Sequence, residues 1–304
     1  MVKTRNPLTR LDTHHGSLEF GGRCRVMGIL NVTPDSFSDG GRFVDASAAV
    51  ARALGIEAEG ADVLDIGGES TRPGSLGVEA TEQVRRVVPV VREARARGLR
   101  IPISIDTRSA KVAEAALDVG ADMVNDVSGL RDDPDMIALV RERGVPFIVM
   151  HMQGTPATMQ ANPCYQDVVR EIRAFFLQRA EALDAEGVDT SRMIVDPGIG
   201  FGKTMEHNVE LVRRVAEFKA PQPVQSSAAV PAAWPVLIGP SRKRFIGELM
   251  SGRSAEQAGV KDSDREAGTA AVVAWCVLAG VEMVRVHDVR TMRGVVTMLA
   301  NTGR

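Results

Sequence analysis

Three passages of the chain repeat one arrangement of polar and apolar positions. Each begins with glycine, continues through a small residue and an acid to an apolar pair, and ends on a polar residue: GADVLD from Gly60, GADMVN from Gly120 and GVEMVR from Gly280. The glycine suits the C-terminus of a helix, where a left-handed residue without Cβ avoids a clash. The short apolar run suits a strand covered on both faces. The repeat therefore predicts helices that alternate with buried parallel strands.

Eight apolar segments have the length of buried strands. They lie near residues 25–31, 62–66, 101–106, 121–125, 145–150, 192–196, 236–239 and 282–286, with helical periodicity between and after them. Eight such units are the count of a closed barrel. The competing fold, an open doubly wound sheet, has a GxGxxG turn after its first strand, whereas here that strand continues into NVTPDSFSDGG. We predict an α/β fold, a single (β/α)8 TIM barrel with parallel strands.

Segments outside this pattern suggest the domain organisation. We interpret residues 1–17 as an N-terminal tail that precedes a barrel domain at residues 18–304. Residues 220–235, APQPVQSSAAVPAAWP, are rich in Pro, Ala and Ser, which predicts a flexible surface insertion. By contrast, TAAVVAWCVLAG from Thr269 is nearly all apolar, which predicts a helix buried in the barrel wall.

Composition narrows the functional classes. The 304 residues are 44% hydrophobic and 25% charged, which suffices for one large core. A net charge of −2 provides no basic field for a nucleic-acid backbone, so we expect small-molecule partners and no nucleic acid. No apolar run has the length of a membrane span or a signal peptide, and Cys24, Cys164 and Cys276 lack metal-binding spacing. We expect a cytoplasmic protein with no membrane partner.

Polar residues mark the C-terminal ends of the predicted strands. They are Asn31, Asp65, Asp106, Asn125, His151, Asp196, Ser241, Arg285 and His287. In (β/α)8 enzymes this rim carries the active site, because the loops converge there on one mouth. A preference for turn-forming residues would explain Asn31 and Asn125, but it explains Asp106, Arg285 and His287 poorly. The sequence therefore predicts a functional site at this rim.

The glycine-rich string DPGIGFGKT, which starts at Asp196, matches a phosphate-binding loop only in part. That motif, GxxxxGK followed by Ser or Thr, requires glycine where Pro197 stands. Gly198, Gly200 and Gly202 are better explained as positions where the backbone turns sharply or approaches a flat ligand.

Eight strings occur in one order along the chain: ILNVTPDSFSDGG, DIGGESTRPGS, SIDTRS, VNDVSG, MHMQGTP, DPGIGFGKT, IGPSRKRFIG and VRVHDV. Together they closely resemble the dihydropteroate synthase family, from about Arg25 to Thr297. The resemblance implies a Mg²⁺-assisted transferase of folate biosynthesis. Such an enzyme condenses 6-hydroxymethyl-7,8-dihydropterin diphosphate with 4-aminobenzoate and releases 7,8-dihydropteroate and diphosphate. It also implies a homodimer.

The same resemblance assigns residues to a pterin site. The family's pterin-binding residues match Asp106, Asn125, Met150, Asp196, Phe201 and Lys243. Asp196 would accept two N–H donors of the aminopyrimidinone edge in a bidentate geometry. Met150 and Phe201 would sandwich the flat heterocycle. Two alternatives stay open: Asp106 as a cap on the helix after Ser109, and Met150 as ordinary core packing.

The resemblance also assigns the remaining substrate groups. The diphosphate subsite matches Thr71, Ser241, Arg285 and His287, the aminobenzoate pocket matches Phe37, Pro73 and Ser241, and the magnesium ligand matches Asn31. Catalytic roles match Asp35, Arg72, Lys243, Arg285 and His287. Mg²⁺ keeps several waters, so one Asn oxygen with phosphate oxygens is chemically reasonable. Asp35 and Arg72 lie in the strings NVTPDSFSDGG and GGESTRPGS, where ordinary turn and salt-bridge roles stay open.

Rival functions use the same barrel. A pterin-binding methyltransferase domain, which would serve a cobalamin partner, needs no diphosphate subsite, and the TRPGS and SRKRF strings favour the synthase over it. A non-catalytic pterin-binding paralogue would have lost its loop chemistry, whereas all six residues needed for it are present: Asn31, Asp35, Arg72, Lys243, Arg285 and His287. A purely structural barrel leaves the polar rim unexplained.

Overall fold

Eight short parallel strands form one sheet that nearly closes on itself. The computed structural model describes residues 9–33, 42–70, 77–219, 233–252 and 265–302. A hairpin of β1 (Arg10–Thr13) and β2 (Gly16–Glu19) precedes the sheet strands β3 (Arg25–Asn31), β4 (Val63–Gly67), β5 (Ile103–Asp106), β6 (Met123–Asp126), β7 (Phe147–Met150), β8 (Met193–Asp196), β9 (Leu237–Ile238) and β10 (Met283–Val286). The strand order is β8-β7-β6-β5-β4-β3-β10-β9. A parallel bridge between Val195 and Val236 joins the two ends, so the predicted (β/α)8 barrel is confirmed.

Helices follow the sheet strands and cover the outside of the barrel. They are α1 (Arg42–Ala58), α2 (Ala80–Ala96), α3 (Ala110–Leu117), α4 (Asp135–Arg143), α5 (Val168–Ala185), α6 (Met205–Arg213), α7 (Arg244–Ser251), α8 (Arg265–Leu278) and α9 (Val289–Thr302), with 3-10 turns at Thr190–Arg192 and Val215–Lys219. Gly60, Gly120 and Gly280 have φ of 98°, 111° and 81° between a helix and the next strand. The repeated glycines thus end helices, as the sequence pattern predicted.

The N-terminal hairpin closes the bottom of the barrel. Leu11 and Leu18 are 3% and 2% exposed, and they pack with Phe20 against barrel residues such as Met27 and Met283. This corrects the assignment of residues 1–17 to a tail: residues 10–17 belong to the fold. Two four-residue strands carry too few apolar positions to give a recognisable pattern, and the barrel residues they cover come from distant segments.

The segment before β9 is packed at its C-terminal end. Residues 220–232 of the predicted insertion lie outside the described part of the chain. Trp234 is 4% exposed, and its indole N–H donates to the carbonyl oxygen of Thr190 at 3.0 Å. The backbone N–H of Val195 donates to the carbonyl oxygen of Pro235 at 3.0 Å. The prediction of a flexible insertion is therefore wrong for residues 234 and 235, which help to close the barrel.

Helix α8 is buried on one face only. Thr269, Val273 and Cys276 are buried, whereas Trp275 and Leu278 are 52% and 64% exposed. This corrects the prediction of a helix buried in the barrel wall, because composition alone does not show which apolar face meets the barrel. Within the described ranges, no helix combines the length and apolar character needed to cross a bilayer.

Candidate active site

A cleft of about 350 Å³ opens at the C-terminal ends of the strands. It gathers seven of the residues that the sequence assigned to the substrate site, with four others between them. The seven are Asp106, Asn125, Met150, Asp196, Phe201, Lys243 and Arg285, and the others are Val127, Gly198, Ile199 and Gly239. These residues are up to 179 positions apart in sequence, and they meet because the C-terminal ends of the parallel strands all lie at one rim.

Arg285 forms a fork between two carboxylates at the floor of the cleft. Its Nε donates to Asp65 Oδ2 at 2.6 Å and its Nη2 to Asp106 Oδ2 at 2.7 Å. Asn125 Nδ2 donates to the same oxygen of Asp65 at 3.2 Å. Burial would lower the pKa of Arg285, but the Asp65 and Asp106 charges outweigh it and hold that pKa above its usual value. The guanidinium is therefore a fixed cation.

Asp106 keeps one oxygen available. Its Oδ1 is buried and has no hydrogen-bond partner among the described residues. Burial raises the pKa of Asp106, the Asp65 charge raises it further, and the Arg285 guanidinium opposes both. The alternative role of Asp106 as a helix cap does not occur, because the N-cap position of α3 is Ser109 and the backbone N–H of Ala110 is bound by Asp133 at 2.8 Å.

Asp196 lies at the end of β8 and organises the glycine-rich turn after it. Its Oδ1 accepts the backbone N–H of Gly198 at 2.8 Å. Gly198 has φ of +71°, and a Cβ there would lie 2.0 Å from the carbonyl oxygen of His151, so only glycine fits. Burial raises the pKa of Asp196, against the Gly198 N–H and the Lys243 and Arg285 cations.

One wall of the cleft is apolar. Met150 is 3% exposed and packs with Val127, Met152 and Met159, with Phe201 against this cluster. Lys243 Nζ lies 4.1 Å from the centroid of the Phe201 ring, within cation–π range. The two predicted sandwich residues thus both line the cleft, although Met150 also contributes to the packing that its alternative interpretation proposed.

Three further predicted residues lie at the rim but do not line the cleft. Ser241 Oγ is 2.9 Å from His287 Nδ1 and accepts the backbone N–H of His287 at 3.1 Å. Asn31 ends β3 and pairs in register with Gly67, which in turn pairs with Asp106. A Cβ on Gly67 would lie 3.8 Å from Asn31 Oδ1 and 3.5 Å from Asp106 Cβ, so glycine leaves the space between them open.

Five predicted residues fall outside the described part of the chain. They are Asp35, Phe37, Thr71, Arg72 and Pro73. Their predicted roles stay predictions.

Two buried charged residues beside the cleft, Asp65 and Lys203, had no specific role in the predictions from sequence. Asp65 is fully buried and holds both Arg285 and Asn125. A charge inside the apolar strand VLDIG was the available indication, since buried carboxylates need partners. Lys203 is 3% exposed and contacts His151 behind the glycine-rich turn. Lys203 lies in the string GFGKT, but nothing in that string indicates that its side chain is buried.

Comparison with known proteins agrees with this geometry. A family model described as pterin binding enzyme matches residues 27–287. A dihydropteroate synthase of Mycobacterium leprae (strain TN) is 45% identical over 267 residues, which cover 88% of this chain and 89% of the relative. The chain belongs to the dihydropteroate synthase family. The resemblance inferred from the eight strings is thereby confirmed.

Solved members of the family have the same fold. The dihydropteroate synthase of Xanthomonas albilineans with 4-aminobenzoic acid superposes with a TM-score of 0.84 at 40% identity, over 97% of this chain and 98% of the other. The Xanthomonas albilineans enzyme in complex with 7,8-dihydropteroate gives a TM-score of 0.80 at 38% identity and the same coverage. The family barrel therefore extends over nearly the whole chain.

The contribution of Asp65 to the stability of the fold can be measured as a change in the free energy of unfolding. Replacing Asp65 with Ala leaves the buried Arg285 Nε and the Asn125 amide without their shared acceptor, and breaking a buried pair from one side costs about 3–5 kcal/mol. We expect that loss in the free energy of unfolding measured with urea. The control is Asp118→Ala, which removes an exposed pair with Arg143 and should cost about 0–1 kcal/mol. Equal losses in the two variants would contradict the role of Asp65.

Proposed function

We propose that this chain condenses 6-hydroxymethyl-7,8-dihydropterin diphosphate with 4-aminobenzoate to give 7,8-dihydropteroate and diphosphate. The observation that supports this most directly is the cleft itself. Buried acceptors of Asp106 and Asp196, the Asn125 amide and the Lys243 ammonium surround a space with an apolar wall. Family membership and the ligands of the solved Xanthomonas albilineans enzymes agree with this chemistry.

Recognition of the pterin follows from the acceptors. Asp196 as a carboxylate accepts two adjacent N–H donors of the aminopyrimidinone in parallel, and Asp106 Oδ1 accepts another in the same plane. Asn125 and Lys243 supply donors for the acceptor atoms of the ring. Met150 and Phe201 contact its face. The pterin is thus fixed in orientation before any bond changes.

The diphosphate lies next to the cationic side of the rim. Arg285 carries a fixed charge there, and Ser241 Oγ accepts the backbone N–H of His287 and lies 2.9 Å from its Nδ1. In this proposal the Ser241 hydroxyl donates to Nδ1, so that the imidazole proton is on Nε2, where it can donate to a phosphate oxygen. Thr71 lies outside the described residues, and in this proposal its hydroxyl donates to the diphosphate.

A magnesium ion fits the donor set at the mouth. The described residues offer no group of three or more His, Cys, Asp or Glu side chains for a metal. Mg²⁺ instead favours hard oxygen donors and keeps several waters, so the Asn31 amide oxygen together with substrate oxygens suffices. When bound, the ion would neutralise charge on the diphosphate. Asn31 is suited to this because Gly67 leaves the space beside its oxygen open.

The reaction needs no nucleophile on the protein. The C–O bond to diphosphate breaks with its electron pair on the leaving group, the aniline lone pair forms the C–N bond, and the surplus amine proton passes to water. Arg285, His287 and Lys243 stabilise the changing charge, at about 3 kcal/mol for each well-aimed donor. In this proposal Asp35 lies near the cationic methylene and Arg72 near the leaving group, with Phe37, Pro73 and Ser241 around the aminobenzoate ring.

The decisive experiment is product formation by the purified protein. We expect 7,8-dihydropteroate and diphosphate in equal amounts, dependent on both substrates and stimulated by Mg²⁺. The matched alternative is methyl transfer from methyltetrahydrofolate to a corrinoid protein, which the rival methyltransferase function predicts. Tight pterin binding without product would favour a non-catalytic paralogue, and no pterin binding would refute the proposal.

Asp196 should control pterin affinity more than turnover. Asp196→Asn keeps the shape but replaces one acceptor oxygen with a donor that opposes a pterin N–H, and it loses the charge that makes the bidentate pair strong. We expect the dissociation constant for the dihydropterin diphosphate, measured by calorimetry, to rise at least tenfold. The dissociation constant for 4-aminobenzoate in the presence of diphosphate should change little. Unchanged pterin affinity would remove Asp196 from the pterin site.

We further propose that the chain forms a homodimer through α7, α8 and α9. These helices are neighbours, and they carry the large apolar side chains that are more than half exposed among the described residues: Leu249, Met250, Trp275, Leu278 and Met298. Apolar surface of this kind, lying on adjacent helices, is typical of protein interfaces. The second copy of the chain is the occupant that closed twofold symmetry favours.

A charge on this surface should separate the two copies. Trp275→Glu places a carboxylate where an apolar contact is expected, without disturbing the core, because Trp275 is 52% exposed. Sedimentation velocity should show twice the chain mass for the wild type and the single-chain mass for the variant. The exposed Lys111→Glu on α3 is the control and should stay dimeric. A monomeric wild type at micromolar concentration would contradict the proposal.

A further inference from the structure

Lys203 is a buried cation directly behind the cleft. Its side chain is 3% exposed, and Nζ donates to the carbonyl oxygens of Phe201 at 2.9 Å and His151 at 3.3 Å. Nζ is also 3.1 Å from His151 Nδ1. His151 follows β7 and Phe201 lies in the turn after β8. One ammonium group therefore joins the ends of two neighbouring strands.

The partners of this ammonium in the described structure are neutral. Burial, followed by the charge of Lys203, lowers the pKa of His151 to about 2, so its imidazole is uncharged and can accept at Nδ1. The Tyr165 ring lies 6.0 Å from Nζ. A buried cation without a carboxylate in its own hydrogen-bond set is unusual, because desolvation of a charge is costly. Its charge acts instead at longer range on Asp196, whose backbone carbonyl oxygen accepts the N–H of His151 at 2.9 Å.

We propose that Lys203 is a positioning residue for the pterin site, which binds the glycine-rich turn to the end of β7 and supplies a buried positive charge behind Asp196. This inference rests on the proposed function for its pterin part. Lys203 does not line the cleft, and it acts through Asp196 and Phe201.

The anchoring role of Lys203 follows from the close packing of the glycine-rich turn against the residues after β7. Gly198 passes so close to His151 that no side chain would fit, and a Cβ on Gly202 would lie 3.0 Å from the backbone of Gln153. The Phe201 carbonyl that Lys203 binds belongs to the residue whose ring contacts Lys243. The position of the ring that faces the pterin is thus coupled to the buried ammonium.

A second, neutral anchor holds the same turn. The Tyr165 hydroxyl donates to the carbonyl oxygen of Gly202 at 2.8 Å. Loss of this bond would loosen the turn without changing any charge near Asp196. Tyr165 therefore offers a matched control that separates anchoring from electrostatics.

The charges around the two groups fix the sign of the effect. Burial raises the pKa of Asp196, while the Gly198 N–H and the Lys243, Arg285 and Lys203 cations lower it. Burial lowers the pKa of Lys203 to about 7, Asp196 raises it and Lys243 lowers it. Lys203 is therefore mostly charged below pH 7 and loses its charge as the pH rises through its pKa. Removal of its charge must shift the ionisation of Asp196 to higher pH, because one stabilising cation is lost.

The test compares Lys203→Met with Tyr165→Phe and the wild type. The carboxyl carbon of Asp196 is followed by NMR against pH in protein labelled at the aspartate side chains, and Asp196→Asn identifies its resonance. We expect a rise of about one unit in the Asp196 pKa for Lys203→Met and no rise for Tyr165→Phe. Lys203→Gln keeps a donor for the Phe201 carbonyl without the charge, should show the same rise, and serves if the Met variant does not fold.

Pterin affinity gives the second reading. Calorimetric titration with the dihydropterin diphosphate from pH 5 to pH 8 should show weakened binding in both anchoring variants, by about tenfold for Lys203→Met. Only the Lys203 variants should move the acid limb of the affinity profile to higher pH. An Asp196 ionisation that is equal in Lys203→Gln and the wild type overturns the inference. The NMR titration needs no ligand. A wild type that binds no pterin would therefore refute the proposed function, whereas the effect of Lys203 on the pKa of Asp196 would still be decided by the NMR comparison.

Discussion

The fork of Arg285 between Asp65 and Asp106 is the interaction on which the mouth of the barrel depends. Two carboxylates buried at neighbouring strand ends would repel each other strongly in a medium of low dielectric constant. Arg285 from β10 supplies both with a charged hydrogen bond, at 2.6 Å and 2.7 Å. The polar rim can therefore be buried only when β4, β5 and β10 are assembled. Formation of this part of the site therefore depends on the pairing of β10, β3, β4 and β5 in the sheet.

On the opposite side of the cleft, the buried carboxylate of Asp196 is stabilised in a different way. Asp196 forms no hydrogen bond with an arginine in the described structure; it is supported by the Gly198 N–H and by the fields of Lys243, Arg285 and Lys203. The carboxylate of Asp196 is thus stabilised by a backbone N–H and by charges at a distance, and its oxygens are not engaged in a direct ion pair. An acceptor kept in this way is suited to bind a donor-rich ligand edge, because little reorganisation precedes binding.

Stability and chemistry occupy opposite ends of the barrel. At the lower end the hairpin side chains Leu11 and Leu18 complete an apolar layer inside the strands. At the upper end the interior is polar, and several of its atoms have no hydrogen-bond partner among the described residues, including Asp65 Oδ1 and Asp106 Oδ1. Such atoms weaken the fold locally. The apolar lower layer and the outer helices offset that cost, so the rim is free to serve binding.

Local sequence patterns were sufficient to predict the barrel and most of the residues at its rim. Buried parallel strands are short apolar runs, and the glycines at 60, 120 and 280 punctuate them, so local pattern located all eight strands within about two residues of their observed bounds, as with residues 62–66 against Val63–Gly67. Motif order then indicated the family and the cleft residues. These features depend on neighbours in the chain, which a sequence displays directly.

Tertiary structure alone decided which charges meet. Asp65 and Arg285 are 220 positions apart, and no local pattern links them. The burial of Lys203 against His151, the packing of the hairpin beneath the barrel and the exposed face of α8 depend likewise on which surfaces close over one another. A side chain's role as core, interface or buried cation is set by the free energy of its surroundings in the folded chain, and those surroundings are built from segments that only folding brings together.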